Sequence, residues 1–234
     1  MHRSLRKVAL MAGMLAASPG WAQLQEIVVT GERVSGEDYS RIPAIVMEHR
    51  ADFLVQRIEL SNDTRAAEAR AKELHQTLRD MVTDSAKQPG IALSYGDDFL
   101  IPITLTSYEV PLDGGGKRPD TSSTDIYVKM SLGAKANVLE GMAALADFIK
   151  KARVTGRTEI SAKGDVGLSL VAPEKYRYEI IAKITDDARR LQAAVGTRCK
   201  IELSGLANRV SWKRSDVSML TLYIPYEVQL KDCE

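Results

Sequence analysis

The sequence predicts an α+β fold in which amphipathic helices cover one face of mainly antiparallel sheets. Stretches of alternating apolar and polar residues, typical of half-buried strands, take turns along the chain with stretches whose apolar residues recur every three or four positions, typical of helices. The order strand, helix, strand occurs twice, which indicates two related units. We therefore expect an α+β domain over residues 23–234, preceded by a segment of a different kind at residues 1–22.

The first 22 residues have the composition of a secretory signal peptide. Arg3, Arg6 and Lys7 precede an apolar run, and small residues occupy positions 20 and 22. The run, of about ten residues, is too short to span a bilayer as a permanent anchor. We expect cleavage after Ala22 and a periplasmic mature protein, with an uncleaved N-terminal anchor as the alternative.

The composition of the remaining chain argues against a polyanionic partner. Removing residues 1–22 takes away three basic residues and no acidic ones, so the formal net charge falls from +1 to about −2. Basic residues alternate with acidic ones instead of clustering, which disfavours nucleic acid or an anionic membrane as a partner. Hydrophobic residues make up 44% of the sequence, and no later apolar run is long enough for a stable membrane span, so we expect a soluble protein.

The first strand–helix–strand unit follows an opening strand at residues 27–30. Residues 52–60 are rich in β-forming side chains, and residues 61–64 are good N-cap residues for the helix that follows. A strand region spans residues 91–110, after which Gly, Pro and Ser mark a flexible loop at about 111–123. The apolar residues that share one face of the helix are Ala67, Ala71, Leu74, Leu78 and Met81.

The second unit begins with strict alternation at residues 126–132, which predicts a strand. Asn137 and Glu140 have capping-box spacing and predict the start of a second helix. Pro173 begins a third helix, because a helix tolerates the missing N–H of proline in its first turn. The remaining predicted strands are residues 158–171, 199–212 and 219–230, and the predicted inward residues of the third helix are Ile180, Ile184, Ala188, Leu191 and Val195.

Residues 169–196 resemble the signature helix of the SIMPL-domain family of bacterial envelope proteins. The stretch has a strand end, a Pro-Glu start at Pro173, and a long helix with an Ala-Lys step and an Asp-Ala-Arg step that runs to Gly196. Residues 28–31 are similar to the family's opening strand, and the other elements follow in matching order. The resemblance implies an exported α+β protein that often self-associates and whose biochemical activity is poorly defined. It implies no catalytic residues.

The mature sequence contains no motif of a catalytic, metal or cofactor site. Its two histidines, His49 and His75, lack acidic or cysteine partners at ligand spacing, and no Gly-x-Ser-x-Gly motif occurs. Residues 114–117 depart from the pattern of a phosphate-binding loop. Adjacent carboxylates at 97–98 and 186–187 point in different directions on a strand or helix, which disfavours an acid/base pair. We therefore predict no catalytic residue, no metal ligand and no cofactor.

Two classes of function fit these features. The leading class is a non-enzymatic periplasmic protein that works by self-assembly, or by contacts with another envelope protein, in envelope maintenance or stress tolerance. The alternative rests on residues 26–31, Glu-Ile-Val-Val-Thr-Gly, which resemble the segment after the signal peptide of TonB-dependent receptors. A complete receptor needs about 22 strands and exceeds this chain. A TonB-linked accessory or binding protein remains, whose segment would be an exposed tail instead of a strand. A hydrolase ranks a distant third, because the missing motifs disfavour it; it stays among the alternatives because a dispersed site leaves no motif.

The only two cysteines, Cys199 and Cys233, are predicted to form a disulfide. An exported chain meets an oxidising compartment, where an even count permits a bridge. The two final strands are expected to form a hairpin across residues 213–218, and a bulge at Gly205 would bring Cys199 opposite Asp232, one residue from Cys233. Two separate thiols are the alternative.

Overall fold

The computed structural model describes residues 26–29, 42–97, 99–114, 120–133, 137–195 and 199–232. The predicted signal peptide, Cys233 and residues 115–119 of the predicted loop lie outside these ranges. The described residues form an α+β fold in which every strand pair is antiparallel, so the predicted fold class is confirmed at this level.

The described part of the chain contains twelve strands, three α-helices and one 3-10 helix. In chain order the strands are β1 Glu26–Val29, β2 Met47–Arg50, β3 Phe53–Asn62, β4 Ile91–Tyr95, β5 Ile101–Pro102, β6 Asp113–Gly114, β7 Ser122–Ser131, β8 Thr158–Val171, β9 Lys200–Ser204, β10 Ser211–Arg214, β11 Met219–Tyr223 and β12 Glu227–Lys231. The α-helices are α1 Ala67–Ser85, α2 Val138–Lys150 and α3 Arg177–Val195, and the 3-10 helix Pro173–Tyr176 precedes α3.

Seven strands form one large sheet in the order β1-β8-β3-β7-β4-β5, with β6 beside β7. Both strand–helix–strand segments, β3-α1-β4 and β7-α2-β8, lie in this sheet. Their strands alternate in the order β8-β3-β7-β4, so each helical connection crosses one strand of the other segment. This is the arrangement of a split β-α-β fold.

The helices α1 and α2 cover one face of the large sheet. Leu54 and Ile58 of β3 are fully buried in the same core cluster as Leu74 of α1 and Leu145 of α2. Gly141 allows α2 to approach closely, since a Cβ atom there would lie 3.0 Å from Cδ1 of Leu54. The predicted covering of one face by amphipathic helices is therefore confirmed, although Ala67 at the start of α1 is exposed.

The starts of the helices differ in how well the sequence predicts them. Asn137 caps α2 as predicted, because its Oδ1 accepts a hydrogen bond from Leu139 N at 3.0 Å. The cap predicted at residues 61–64 is wrong: β3 continues to Asn62, and α1 begins at Ala67 without a side-chain cap. Asn62 Oδ1 instead accepts from Thr64 N at 2.8 Å, so the polar cluster makes the turn that precedes the helix.

The predicted final hairpin is divided between two smaller sheets. One contains three strands in the order β10-β11-β2, and the other contains only β9 and β12. Gly205, with φ of +82°, ends β9, and a Cβ atom there would lie 2.7 Å from the carbonyl oxygen of Pro225. The predicted pairing of the two final segments is therefore confirmed, β10 with β11 and β9 with β12, but their predicted continuity is wrong, because the close approach of Gly205 and Pro225 interrupts both strands.

Helix α3 contacts β9 of the two-stranded sheet. Pro173 begins the 3-10 helix, and the α-helix starts only at Arg177. Ile180 and Ile184 are buried as predicted. Val195 is 40% exposed, so its predicted inward position is wrong. The last turn of α3 therefore has an apolar side chain exposed to solvent.

Candidate interaction surface

The N-terminal segment is held in the large sheet by a buried ion pair. Strand β1 pairs with β8 in the register Ile27 to Leu170, and Ile27 is buried. The carboxylate of Glu26 accepts a hydrogen bond from Ser169 Oγ at 2.6 Å and forms an ion pair with Lys129 of β7. Residues 26–29 are thus an ordered strand, which confirms that part of the strand predicted at residues 27–30, whereas Thr30 lies outside the described residues.

The two-stranded sheet β9–β12 is an exposed part of the described fold, and we call it the ribbon. All five side chains of β12 are exposed. Leu203 lies opposite Val228, and Ile201 lies opposite Leu230, so these four apolar side chains share one face. Val228 and Leu230 remain 38% and 45% exposed. The ribbon therefore combines an apolar face with an outer strand that has no further strand partner among the described residues.

Helix α3 contacts the ribbon on the side of β9. Gln192 Nε2 donates a hydrogen bond to the carbonyl oxygen of Cys199 at 3.0 Å. At the same end, Lys200 Nζ lies 2.8 Å from Asp232 Oδ2. Asp232 has a positive φ of 51°, which turns the chain away from the direction of β12. The ribbon is thus fixed to the body through β9, while β12 forms its outer side.

The register of the ribbon bears on the predicted disulfide. Lys200 pairs with Lys231, so the next position along the ladder places Cys199 opposite Asp232, as predicted. Cys199 is 8% exposed and carries no free thiol. Cys233 lies outside the described residues, so the bridge between the two sulfur atoms stays a prediction.

A cleft of about 420 Å³ lies between β1, the 3-10 helix and strands β10 and β11. Trp212, Tyr223 and Phe99 give it aromatic walls, and Arg209 and Glu174 bring charged groups to it. Glu174 Oε1 already accepts a hydrogen bond from Val210 N at 3.0 Å, which positions this carboxylate structurally. The cleft has the volume of a small-molecule site but no convergent set of reactive groups.

The histidines discussed from the sequence have structural partners. Tyr176 Oη and His49 Nε2 lie 2.5 Å apart, and His75 Nε2 lies 3.0 Å from the carbonyl oxygen of Val110. The two rings therefore join neighbouring elements. Asp186 forms an exposed ion pair with Arg189 on the polar face of α3.

The other polar sites discussed from the sequence fall in turns or beyond the described residues. Asp97 is exposed, and Asp98 lies outside the described residues. Asp113 and Gly114 pair with Ser123 and Ser122, so the irregular part of the predicted loop is shorter than the sequence indicates.

Two carboxylates with lowered pKa values, Glu73 and Asp84, lie at contacts between structural elements. Hydrogen bonds to Glu73 from the backbone N–H of Arg157, and then from the side chains of Asn62 and Thr64, lower the pKa of its carboxyl group. An ion-paired hydrogen bond from Arg153 is the main cause of the lowered pKa of Asp84. These groups join α1 to the segment between α2 and β8.

The described residues contain neither a metal cluster nor a membrane-spanning helix. No group of three or more potential ligands among His, Cys, Asp and Glu lies close enough together to hold a metal ion. Within the same residues, no helix combines the length and the apolar character that a membrane crossing requires.

Sequence reasoning did not identify the ribbon as a separate surface. From the sequence, the alternating residues 227–231 are predicted to belong to one long terminal strand, and this prediction does not reveal their position at the edge of a two-stranded sheet. The signal that could have separated it was the combination of Gly205 and Pro225, which break both strands of the hairpin at the same level.

Comparisons with known proteins assign no family. No family model matches the chain, and no curated protein matches it. A crystal structure of an amidase of the hydantoinase/carbamoylase family from Burkholderia phymatum is similar to part of the chain, with 11% sequence identity and a TM-score of 0.30. The match covers 65% of this chain and 38% of the amidase chain. A TM-score this low indicates neither a shared fold nor a shared activity.

Proposed function

We propose that the protein is exported to the periplasm and acts without catalysis, by self-assembly or by contacts with another envelope protein. The observation that carries this proposal is the ribbon, whose outer strand exposes apolar side chains next to an edge that no other described strand covers. A strand edge of this kind readily accepts a further strand from another chain. Proteins usually block such edges. An edge strand in which polar and apolar side chains alternate, and in which Val228 and Leu230 are exposed, is therefore suited to binding.

The proposal includes a SIMPL-like role in envelope maintenance or stress tolerance. The sequence resemblance at residues 169–196 motivates it, and the two interleaved strand–helix–strand segments of the large sheet are compatible with two related units. The basic and apolar N-terminal segment motivates export.

The alternative is a TonB-linked accessory protein that uses residues 26–31 as an interaction tail. It is less well supported, because the side chains of Glu26 and Ile27 are buried in the large sheet. Release of β1 would expose Ile27 and separate the Glu26 carboxylate from Lys129. An unpaired charge left behind in the sheet would add several kcal/mol to that cost, by the usual behaviour of buried ion pairs.

Sedimentation equilibrium of the exported protein tests the proposal. We expect reversible association in the wild type and loss of association in Leu230→Asp, which places a charge in the exposed apolar row. Leu105→Asp is the matched control, since Leu105 is 54% exposed and lies outside the ribbon. The same variants serve in a pull-down from periplasm. A monomeric wild type that captures no envelope protein would contradict the proposal.

A further inference from the structure

We propose that the outer strand β12 pairs antiparallel with β12 of a second copy of this chain, around a two-fold axis at Gln229. This inference rests on the proposed function and specifies its partner. The sequence of β12, Glu227-Val228-Gln229-Leu230-Lys231, is complementary to itself when reversed. In this register, Glu227 faces Lys231 of the partner subunit, and Val228 faces Leu230 of the partner subunit.

The charges of the ribbon favour this antiparallel orientation. Lys200 and Lys231 lie directly opposite each other at one end, and like charges in that position are destabilising. The other end carries Glu227 opposite Ser204. Two-fold pairing brings the acidic end of each ribbon to the basic end of its partner. Lys231 also forms an ion pair with Glu202, and its side chain is 51% exposed.

The apolar face continues across the proposed contact. Within one ribbon, Leu203 lies beside Val228, and Ile201 lies beside Leu230. Pairing of the two β12 strands extends these pairs into two rows of four apolar side chains. The contact also converts a two-stranded sheet into a four-stranded one, and an isolated two-stranded sheet is only marginally stable in water.

Three other sheet edges of the described residues, those of β9, β5 and β10, are less suited to self-pairing. Strand β9 would place Glu202 opposite Glu202 of the partner subunit, and α3 contacts that strand through Gln192. Strand β5 contains Pro102, which lacks an N–H group, and β10 ends in Lys213 and Arg214. Strand β12 combines an open edge with complementary charges.

A charge swap tests the proposed register. Glu227→Lys and Lys231→Glu each place like charges opposite each other at two symmetric positions. We expect each single variant to weaken dimerisation on the order of tenfold, from the usual energies of cross-strand pairs. The double variant Glu227→Lys/Lys231→Glu recreates the opposite-charge pairs in reverse, and we expect it to recover most of the wild-type affinity. Sedimentation equilibrium of the exported protein gives the dissociation constants.

A matched swap on α3 provides the control. Asp186 and Arg189 form an ion pair whose side chains are 61% and 78% exposed, so Asp186→Lys, Arg189→Glu and their double variant change the net charge in the same way without touching the ribbon. We expect these three variants to dimerise like the wild type. Thermal unfolding monitored by circular dichroism verifies that all six variants are folded.

The possible outcomes separate the proposal from the broader function. The register is supported if dimerisation is weakened in both single ribbon variants and its affinity recovers in the double variant. A dimer whose affinity is insensitive to the ribbon swap contradicts the register but leaves self-assembly standing. A wild type that stays monomeric at every concentration overturns both the register and self-assembly, and capture of another envelope protein would then support the other arm of the proposed function.

Discussion

The carboxylate of Glu26 and the ammonium group of Lys129 form an ion pair that connects the edge strand β1 to the interior strand β7. Their side chains are 9% and 6% exposed. Lys129 Nζ also lies 4.0 Å from the centre of the Phe53 ring, a cation–π distance. The pair therefore links the first described residues of the chain to the centre of the large sheet.

Lys129→Met should destabilise the protein strongly. The substitution removes one partner of a buried pair and leaves the Glu26 carboxylate without its countercharge, which typically costs about 3–5 kcal/mol. The double variant Glu26→Gln/Lys129→Met should recover part of this loss, because no charge then remains buried. Chemical denaturation gives the free energies of unfolding. Arg189→Met, which removes an exposed ion pair, is the control and should change stability by less than about 1 kcal/mol. A Lys129→Met variant as stable as this control would contradict a buried pair.

Glu73→Gln should reduce the dependence of stability on acid pH. The Oε2 atom of Glu73 accepts hydrogen bonds from Asn62 Nδ2 at 2.8 Å, Thr64 Oγ1 at 2.9 Å and Arg157 N at 3.0 Å. These bonds lower the pKa of its carboxyl group, so the folded state binds the proton more weakly than the unfolded state. The stabilisation is present above the unfolded pKa and is lost as pH falls through the folded pKa.

The variant should therefore be less stable than the wild type at neutral pH, with the difference shrinking in acid. Unfolding curves at neutral pH and at a pH below the pKa of an ordinary glutamate measure both values. Glu68→Gln on the exposed side of α1 is the control. A wild type and a Glu73→Gln variant that lose stability in parallel on acidification would contradict the assigned role of Glu73.

The predicted disulfide has a direct chemical test. The exported protein should contain no reactive thiol after denaturation without reductant, because Cys199 and Cys233 are the only cysteines and are predicted to pair. Its reduction should lower stability by about 2–4 kcal/mol on the loop-entropy model. The double variant Cys199→Ser/Cys233→Ser should have the stability of the reduced protein. Two reactive thiols in the unreduced protein would exclude the bridge.

Export should remove residues 1–22. Mass spectrometry of periplasmic protein should give a mature N-terminus at Gln23, since small residues at positions 20 and 22 favour cleavage after Ala22. Ala22→Arg, which blocks the small-residue requirement, should leave the precursor uncleaved. An N-terminus at Met1 on wild-type periplasmic protein, or recovery only from the cytosol, would contradict the prediction.

Elements with strong local patterns could be predicted from the sequence. Strand β8 has the predicted bounds Thr158–Val171, and α2 begins directly after the predicted cap Asn137. In each of these elements the spacing of the apolar residues shows which side is buried, and that spacing can be read from the sequence of the element alone. The fold class follows from the order of such elements.

Features that depend on how elements meet could not be predicted. The ion pair between Glu26 and Lys129 joins residues far apart in sequence, and neither residue departs from its local pattern. The ribbon arises because Gly205 and Pro225 approach each other across two strands, which periodicity within either strand does not reveal. The candidate interaction surface therefore became visible only with the register of β12 on β9.

Hydrogen exchange at the backbone amides of β12 tests the central claim, that the outer strand of the ribbon binds a second copy of the chain. The exported protein is labelled at one concentration below and one above its dissociation constant, and β5, which lies at the edge of the large sheet opposite β1, serves as the internal reference. We expect protection of residues 227–231 to rise with concentration while the amide of Ile101 in β5 exchanges at an unchanged rate. Equal exchange of residues 227–231 at both concentrations, with dimer present in the more concentrated sample, would contradict the claim.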